Sequence, residues 1–319
     1  MAKRNVLIKN LATIETLGCM SILCSDKTGT LTMGTMVSDI HKSLRAALKL
    51  TPFQSVSSVA FIDEQFHVDS IAEKDSAKVK AFKSFHMITR LCNGAKLDEG
   101  TAGLPFENQL IKGDPTDTAL LRFAELFSHP EIGVDTPHLL ASWDKVFEIP
   151  FNSKNKWMLT VVRERKTADI DPAGPECWML VKGAPDVLFP SCSYVMKPDG
   201  AIIPLDGTIL ARVSTLQAEW SNSGLRVLAL CRRSLSAVKL NPANMSTSAM
   251  EEVVHSEFAG LTLVGLVGIR DPPRPDVPDA IAIIRRAGVR VFMVTGDFKL
   301  TALAIAKQVS ITRLVVDHF

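Results

Sequence analysis

The apolar positions near the start of the chain form one short run that stops at a charged loop. The run Met20–Cys24 leads directly into the polar segment SDKTGTLT, which predicts an apolar strand that ends at Asp26 and turns through Gly29. A helix is predicted before it, over Asn10–Leu17, because Gly18 is a typical helix stop. A strand that ends at a carboxylate and turns through glycine predicts a loop of the size that holds a phosphate group.

The last part of the chain alternates between strand and helix patterns. The segments predicted there are the buried strand LVGLVGI, the stiff and non-helical Asp271–Pro275, the amphipathic helix Pro278–Ala287, the strand Val289–Val294 that ends at Thr295-Gly296-Asp297, and the helix Leu300–Val309. This alternation is typical of a parallel sheet with crossover connections. Ligands bind at the carboxyl ends of such strands, so the loops at Asp26 and Thr295 are predicted to share one site.

The middle of the chain has several strands in succession. The strands predicted there are VAFID, QFHVD, Trp143–Phe151, Lys156–Arg163, Cys177–Lys182 and Leu225–Arg232, and the helices are Lys78–Cys92, Asp114–Phe127 and Leu205–Ser223. Asp114 is the predicted N-cap of the second helix, and Asp117 stands at the capping-box position three residues later. Successive strands with helices packed on them predict an α+β unit with an antiparallel sheet.

These patterns divide the chain into two domains, one of which is split in sequence. The predicted fold class is α/β, with one domain formed by residues 1–38 and 267–319 and an inserted α+β domain formed by residues 39–266. A length of 319 residues agrees with two domains.

Composition narrows the class of protein. With 36 Lys and Arg against 34 Asp and Glu, the net charge of +2 excludes a strongly basic nucleic-acid-binding protein. The six cysteines are scattered without a C-x-x-C pair, which favours reduced thiols over disulfides or a zinc site. The longest uncharged apolar stretch, Phe258–Ile269, is shorter than the roughly 20 residues of a membrane-spanning helix, and the N-terminus lacks a signal-peptide core. We therefore expect this chain alone to be soluble.

The segment Asp26–Thr30 carries the clearest chemistry. A carboxylate at a strand tip can attack phosphorus to form an acyl phosphate, and it is a hard oxygen ligand for Mg²⁺. Gly29 lets backbone amides turn towards phosphoryl oxygens, and Thr28 and Thr30 add hydroxyl and carbonyl groups. The alternative is a polar turn after a core strand, which the whole run SDKTGTLT disfavours.

The run DKTGTLT resembles the phosphorylation motif of P-type cation-transporting ATPases. The resemblance extends over essentially the whole chain through KNLATIETLG, EIPFNSKNK, KGAPD, DPPRPDVPDAI and MVTGD, and it is closest to type II pumps of the sodium/potassium-pump alpha-subunit group. It implies a haloacid-dehalogenase-like, Rossmann-like phosphorylation domain, split by an α+β nucleotide-binding domain with an antiparallel sheet.

The resemblance assigns the phosphate chemistry to two loops. Asp26 is similar to the aspartate that ATP phosphorylates, and Thr295 and Gly296 are similar to a second phosphate-binding loop. The catalytic residues implied are Asp26, Lys27, Thr28, Thr295, Gly296 and Asp297, and the implied Mg²⁺ ligands are Asp26 and Thr28.

The resemblance also implies a nucleotide site. Its residues are Asp117, Phe151, Lys156, Lys182, Gly183, Arg226, Asp271 and Arg274. Phe151 resembles the aromatic residue that stacks on adenine, although its pattern also fits a strand core. Both lysines line the pocket, where the alternative is a solvated surface charge. Arg226 reaches the ATP phosphates, and the last two residues lie in the hinge between the domains. Asp117 lies near adenine, acts in the capping box, or does both.

The sequence departs from the family pattern at several positions. Asp117 and Asp186 stand where the family has Glu, Met158 stands where sodium pumps have Gln, and Phe298-Lys299 replaces the common His-Pro. The later GDGxND motif, a phosphate-contacting lysine before it, the TGES loop and the membrane helices are absent from this sequence. We therefore expect this chain, with an incomplete phosphorylation domain, to bind ATP and to be catalytically deficient.

The implied function is that of the ATP-binding and aspartyl-phosphorylation region of a pump that couples ATP hydrolysis to cation transport. The implied location is the cytoplasmic face of the plasma membrane. The implied partners are ATP, the membrane and actuator domains of the whole pump and an accessory subunit, but no nucleic acid. Two alternatives stay open. One is a soluble haloacid-dehalogenase-type phosphatase, which usually carries D-x-D where this chain has Thr28; the other is a non-catalytic nucleotide-binding module.

Overall fold

The computed structural model describes residues 18–34, 55–61, 64–67, 79–126, 128, 135–165, 177–235 and 245–312. Within them it shows a mixed α/β fold with a nine-stranded sheet, a parallel pair of strands and a short antiparallel pair. The strands are β1 (Ile22–Asp26), β2 (Ser55–Phe61), β3 (Glu64–His67), β4 (Lys96–Leu97), β5 (Ile111–Lys112), β6 (Trp143–Ile149), β7 (Trp157–Glu164), β8 (Cys177–Gly183), β9 (Cys192–Met196), β10 (Ile202–Pro204), β11 (Leu225–Leu235), β12 (Leu261–Arg270) and β13 (Arg290–Val294). The helices are α1 (Val79–Leu91), α2 (Pro115–Leu126), α3 (Thr136–Ser142), α4 (Pro185–Leu188), α5 (Gly207–Asn222), α6 (Thr247–Ser256), α7 (Val277–Arg286) and α8 (Lys299–Gln308).

The large sheet is almost entirely antiparallel. Its strands run in the order β10-β9-β12-β11-β8-β7-β6, and β2 and β3 are added beside β12. β12 pairs with β11 along most of its length, with β9 at its first residues and with β2 at its last. The pair of β9 with β12 is parallel, whereas the neighbouring pairs are antiparallel. The antiparallel sheet predicted for the middle of the chain is confirmed.

Helices cover both faces of this sheet and enclose two cores. Leu180 and Leu230 enter a core with side chains of α1 and α2. Val181 and Cys231, their neighbours in sequence, enter the opposite core with side chains of α5 and α6. Because both faces are covered, the central strands carry apolar residues at consecutive positions. This explains the unbroken apolar run LVGLVGI in β12.

The strand near the start of the chain pairs with a strand near its end. β1 and β13 are parallel, and their register sets Asp26 opposite Val294. Val291 packs with Ile281 of α7 and with Leu31 in a third, smaller core. Both strands therefore end at the same edge, which places the two predicted loops side by side.

The predicted strands and helices within the described residues are present, with small shifts at their ends. β6 ends at Ile149, before Pro150, which cannot donate a ladder hydrogen bond. β12 continues past Leu266, the predicted end of the inserted domain, to Arg270 in the same sheet. The structure adds α3, α4, α6, β4, β5, β9 and β10, which the sequence pattern does not reveal. The predicted helix Asn10–Leu17 lies outside the described residues.

Two expectations from composition concern thiols and membrane spans. All six cysteines lie among the described residues, and none of them forms a disulfide there. In the described parts of the chain, no helix combines the length and the hydropathy that a bilayer crossing requires.

A buried histidine joins three helices around the first core. His86 of α1 is 2% exposed, and its Nε2 lies 3.0 Å from Ala124 O and 3.1 Å from Thr136 Oγ1. Burial lowers the pKa of His86 from 6.5 to about 4, although the hydrogen bond to the Ala124 carbonyl opposes this shift. His86 is therefore neutral at pH 7, and its protonation would place a charge in the core.

We expect His86 to make the fold less stable in acid. Its pKa is lower in the native state than in the unfolded state, so the unfolded chain takes up the proton first. The free energy of unfolding should fall as the pH decreases from 6.5 to about 4, by about 3 kcal/mol in total. Urea unfolding of the wild type and of His86→Gln across this range measures the difference. The same pH dependence in both proteins would contradict the assignment.

Candidate functional site

The residues implied to bind a nucleotide converge at one end of the large sheet. β8 ends there at Gly183, which pairs with Trp157, the first residue of β7. β11 begins there, and its first residue, Leu225, pairs with Arg270 at the end of β12. The turn between β6 and β7 lies at the same end. Antiparallel pairing thus gathers residues from distant parts of the sequence on one surface.

An ion pair between β8 and α2 lies at this end. Lys182 Nζ contacts Asp117 Oδ1, and the two side chains are only 5% and 14% exposed. Asp117 Oδ2 accepts a 2.8 Å hydrogen bond from Gly94 N. The capping-box role predicted for Asp117 is wrong, because its carboxylate contacts other elements while Asp114 Oδ1 accepts from Thr116 N. The surface-charge alternative for Lys182 is also wrong, because Lys182 is buried.

The turn between β6 and β7 presents an exposed aromatic ring. Phe151 is 59% exposed, so its strand-core alternative is wrong. Lys156 is exposed and has φ of 60°, a left-handed conformation that is uncommon outside glycine. Its carbonyl accepts a 3.0 Å hydrogen bond from Ala184 N. The turn is thereby fixed beside Gly183, and the surface-charge alternative for Lys156 stays open.

Arg226 connects the large sheet to the loop after β13. Its Nη1 donates a 2.8 Å hydrogen bond to Thr116 Oγ1 of α2, and its Nη2 donates a 2.7 Å hydrogen bond to Asp297 Oδ1. The other oxygen of Asp297 lies 2.7 Å from Lys27 Nζ. One carboxylate therefore joins a cation of the large sheet to a cation of the loop after β1.

The loop after β1 exposes a carboxylate and buries a lysine. Asp26 is exposed, and its Oδ1 accepts a 2.7 Å hydrogen bond from Lys27 N. Lys27 is 1% exposed. Gly29 has φ of 78°, which glycine adopts without the strain that other residues incur. Asp26 is thus accessible to a reacting group at the end of its strand.

Asp271 and Arg274 hold this loop in place. Asp271 is 2% exposed and accepts hydrogen bonds from Thr32 Oγ1 at 2.8 Å and from Lys27 Nζ at 3.4 Å. Arg274 donates at 3.2 Å to the carbonyls of Gly29 and Thr32. The observed contacts of both residues are with the loop after β1, and their role in nucleotide binding stays a prediction.

The loop after β13 carries an ionised carboxylate. Burial alone would raise the pKa of Asp297, but the charges of Arg226 and Lys27 outweigh it and hold the pKa below its ordinary value. Asp297 N donates a 3.2 Å hydrogen bond to Thr295 Oγ1, which closes the loop, and Gly296 is exposed between them. Thr295 and Gly296 lie at the same edge as Asp26, because β1 and β13 are paired.

The site therefore combines an accessible carboxylate with buried or half-buried cations. The cations are Lys27, Lys182 and Arg226, and each is paired with an aspartate. Asp26 and Thr28 provide oxygen atoms that suit Mg²⁺. Among the described residues, no group of three or more His, Cys, Asp or Glu side chains could hold a metal ion. Cations can bind the oxygens of a polyphosphate, and an exposed carboxylate beside them can attack its phosphorus.

The structure adds three contacts that sequence reasoning missed. Thr32 binds Asp271, Gly94 binds Asp117 and Thr116 binds Arg226. Thr32 is the last residue of the run SDKTGTLT, so the motif could have indicated that Thr32 takes part in the site. Gly94 lies in the predicted stop of the helix Lys78–Cys92 and Thr116 lies in the first turn of the predicted helix Asp114–Phe127, so the pattern offered only structural roles for them.

A model of the family described as P-type ATPase, cytoplasmic domain N, matches residues 81–276. This range contains most of α1, the helices α2 to α6 and most of the large sheet, including the residues gathered at the end of β8. Lys27 and Asp297 lie outside it, in the loops after β1 and β13.

Curated relatives match nearly the whole chain. Potassium-transporting ATPase alpha chain 2 is 37% identical over 316 residues in Homo sapiens and 36% identical over 318 residues in Cavia porcellus. Sodium/potassium-transporting ATPase subunit alpha-A of Artemia franciscana is 34% identical over 315 residues. These alignments cover 98% of this chain and 27% or 28% of each relative, so the chain spans about a quarter of the length of the relatives it matches. The chain belongs to the P-type ATPase family.

Proposed function

We propose that this chain is the ATP-binding and aspartyl-phosphorylation region of a cation-transporting P-type ATPase. The observation that carries the proposal is the bridge from Arg226 through Asp297 to Lys27, which brings the predicted nucleotide residues next to the loop of Asp26. The names of the relatives, potassium-transporting and sodium/potassium-transporting ATPases, support cation transport by the whole protein.

ATP would bind across this bridge. The exposed ring of Phe151 stacks on the adenine, since a free aromatic face suits a purine. Gly183 lets the nucleotide approach the backbone, and the Lys182–Asp117 pair lines the pocket with Lys156. Arg226 and Lys27 bind phosphate oxygens. The convergence of these residues at one end of the sheet supports this assignment.

Asp26 is the proposed phosphoryl acceptor. One of its carboxylate oxygens bonds to the γ-phosphorus of ATP while the bond from that phosphorus to the β,γ-bridging oxygen breaks. ADP leaves with the electron pair, and an acyl phosphate remains on Asp26. Thr28, Thr295 and Gly296 surround the transferred group. The exposure of Asp26 beside the loop after β13 supports this role.

Asp26 and Thr28 are the proposed ligands of Mg²⁺. Mg²⁺ prefers oxygen ligands and commonly uses one or two carboxylates with substrate phosphates and waters, so a single carboxylate fits. When bound, the ion neutralises charge on the transferred phosphoryl group. Asp271 and Asp297 contribute differently, because Asp271 Oδ2 accepts from Thr32 and Lys27 and the two oxygens of Asp297 contact Arg226 and Lys27.

We place this region at the cytoplasmic face of the plasma membrane, in a pump with membrane and actuator domains and an accessory subunit. Residues 1–38 and the segment that follows β12 form its haloacid-dehalogenase-like phosphorylation domain, and residues 39–270, up to the end of β12, form the nucleotide-binding domain. The parallel pairing of β1 with β13 and the antiparallel sheet between them support this division.

Phe151→Ala tests the nucleotide assignment. We expect the affinity for ATP to fall about 5-fold to 150-fold, because stacking on one base contributes roughly 1–3 kcal/mol. Stability should change little, since the ring is 59% exposed. Calorimetric titration with ATP measures the affinity, and Phe151→Trp should restore it.

Tyr194→Ala is the matched control, because this ring of β9 is 45% exposed and stands apart from the site. It should leave ATP affinity unchanged. Equal affinity in the wild type and in Phe151→Ala would remove Phe151 from the adenine site.

A further inference from the structure

Asp297 contacts the two cations that are best placed to bind phosphate. Its Oδ1 accepts a 2.7 Å hydrogen bond from Arg226 Nη2, and its Oδ2 lies 2.7 Å from Lys27 Nζ. The Asp297 side chain is 10% exposed. A carboxylate whose two oxygens contact cations on different elements makes the same contacts that two oxygens of a phosphate group would make.

Arg226 is held in this position from its other side. Its Nη1 donates to Thr116 Oγ1 at 2.8 Å, and the backbone at Thr116 is itself capped by Asp114 Oδ1. A planar guanidinium can donate in several fixed directions at once. An anion can therefore exchange with Asp297 at Nη2 while the contact with Thr116 is kept.

From this geometry we propose that Asp297 is an internal competitor of the nucleotide phosphates. ATP takes the position of the Asp297 carboxylate on Arg226, and the exchange weakens ATP binding relative to a chain without that carboxylate. A nucleoside without phosphates does not enter the exchange. The inference rests on the proposed function, because it concerns the phosphate end of the same nucleotide site.

Asp297→Asn tests the competition in the full chain. Affinities for ATP and adenosine are measured by calorimetry in EDTA at constant ionic strength, so that bound Mg²⁺ does not contribute. We expect Asp297→Asn to bind ATP about tenfold more tightly, since hydrogen bonds to charged groups carry free energies of this order. Adenosine affinity should not change.

The control for charge alone is Asp199→Asn in the turn between β9 and β10. It makes the same change in net charge, and asparagine keeps the acceptor for the 2.9 Å hydrogen bond from Ala201 N. This variant should bind ATP as the wild type does.

A double-variant cycle separates competition from simple repulsion. Arg226→Ala should reduce ATP affinity more in the Asp297→Asn background than in the wild type. In the wild type, Arg226 must release the Asp297 carboxylate before it binds phosphate, so its net contribution to ATP binding is smaller there. Additive effects of the two substitutions on ATP affinity, or no tighter ATP binding by Asp297→Asn, would overturn the inference. Binding of ATP by the wild type would in that case still support the proposed function. If the folded wild type binds no ATP, the proposed function fails and the inference fails with it.

Discussion

Lys182→Met is expected to destabilise the fold and to remove most of the ATP affinity. Lys182 and Asp117 are 5% and 14% exposed, so the variant leaves a largely buried carboxylate with only Gly94 N as a partner. Breaking such a pair from one side costs about 3 kcal/mol. The loss of the cation should weaken ATP binding roughly tenfold to a hundredfold. Urea unfolding and calorimetric titration measure the two effects.

A double variant separates the two effects. Adding Asp117→Asn to Lys182→Met removes the unpaired charge, and the amide oxygen can still accept from Gly94 N. We expect this chain to regain most of the lost stability without regaining ATP affinity, because the cation is still missing. Recovery of both properties would mean that Lys182 acts on the fold alone, and recovery of neither would contradict the account of the ion pair.

Gly183→Ala is expected to be the most damaging single-methyl addition at the site. A Cβ at Gly183 would lie 2.6 Å from Trp157 Cβ, 2.7 Å from Lys156 O and 2.9 Å from Trp157 Cα. Two of these atoms belong to the backbone, at the first residue of β7 and at the residue before it, so the strands must separate to relieve the collision. We expect a loss of about 2–3 kcal/mol in the free energy of unfolding. ATP affinity should fall as well, because Lys156 and Lys182 flank this contact.

Gly207→Ala is the control for Gly183→Ala. An added Cβ there meets no atom within 4 Å, and Gly207 is the first residue of α5, where alanine is a better helix former. It should be neutral or slightly stabilising in the same urea experiment. Equal stability of the wild type and Gly183→Ala would show that the two strands have more freedom at this point than the structure indicates.

The elements with clear hydrophobic patterns were predictable from the sequence. β12 was predictable from its unbroken apolar run, which it has because both faces of its sheet are covered. α2 is marked by Asp114-Pro115 at its start, and the loop after β1 by its motif. The sequence pattern did not predict α6, because its sequence, TSAMEEVVHS, is mostly polar and only Met250 and Val254 are buried. β10 is short and lies at the sheet edge, and its neighbour β9 has only two buried residues, Val195 and Met196, so neither strand has a clear apolar pattern.

The partners of the charged side chains were not predictable. Asp271 and Thr32 are 239 positions apart, and no local pattern indicates that the Asp271 carboxylate accepts a hydrogen bond from Thr32 in the loop after β1. The spacing of Asp114 and Asp117 predicts a capping box, but the tertiary fold places Lys182 and Gly94 beside the Asp117 carboxylate. Residue type and motif can suggest that a charge is functional, but only the packing of strands and helices determines which opposite charge it meets.

A calorimetric titration of the chain with ATP tests the central proposal most directly. The account predicts saturable binding at one site in the wild type, and strongly reduced binding in the Lys182→Met, Asp117→Asn double variant that keeps its fold. A wild-type chain that melts cooperatively yet binds no ATP would contradict the assignment of the end of β8 as a nucleotide site.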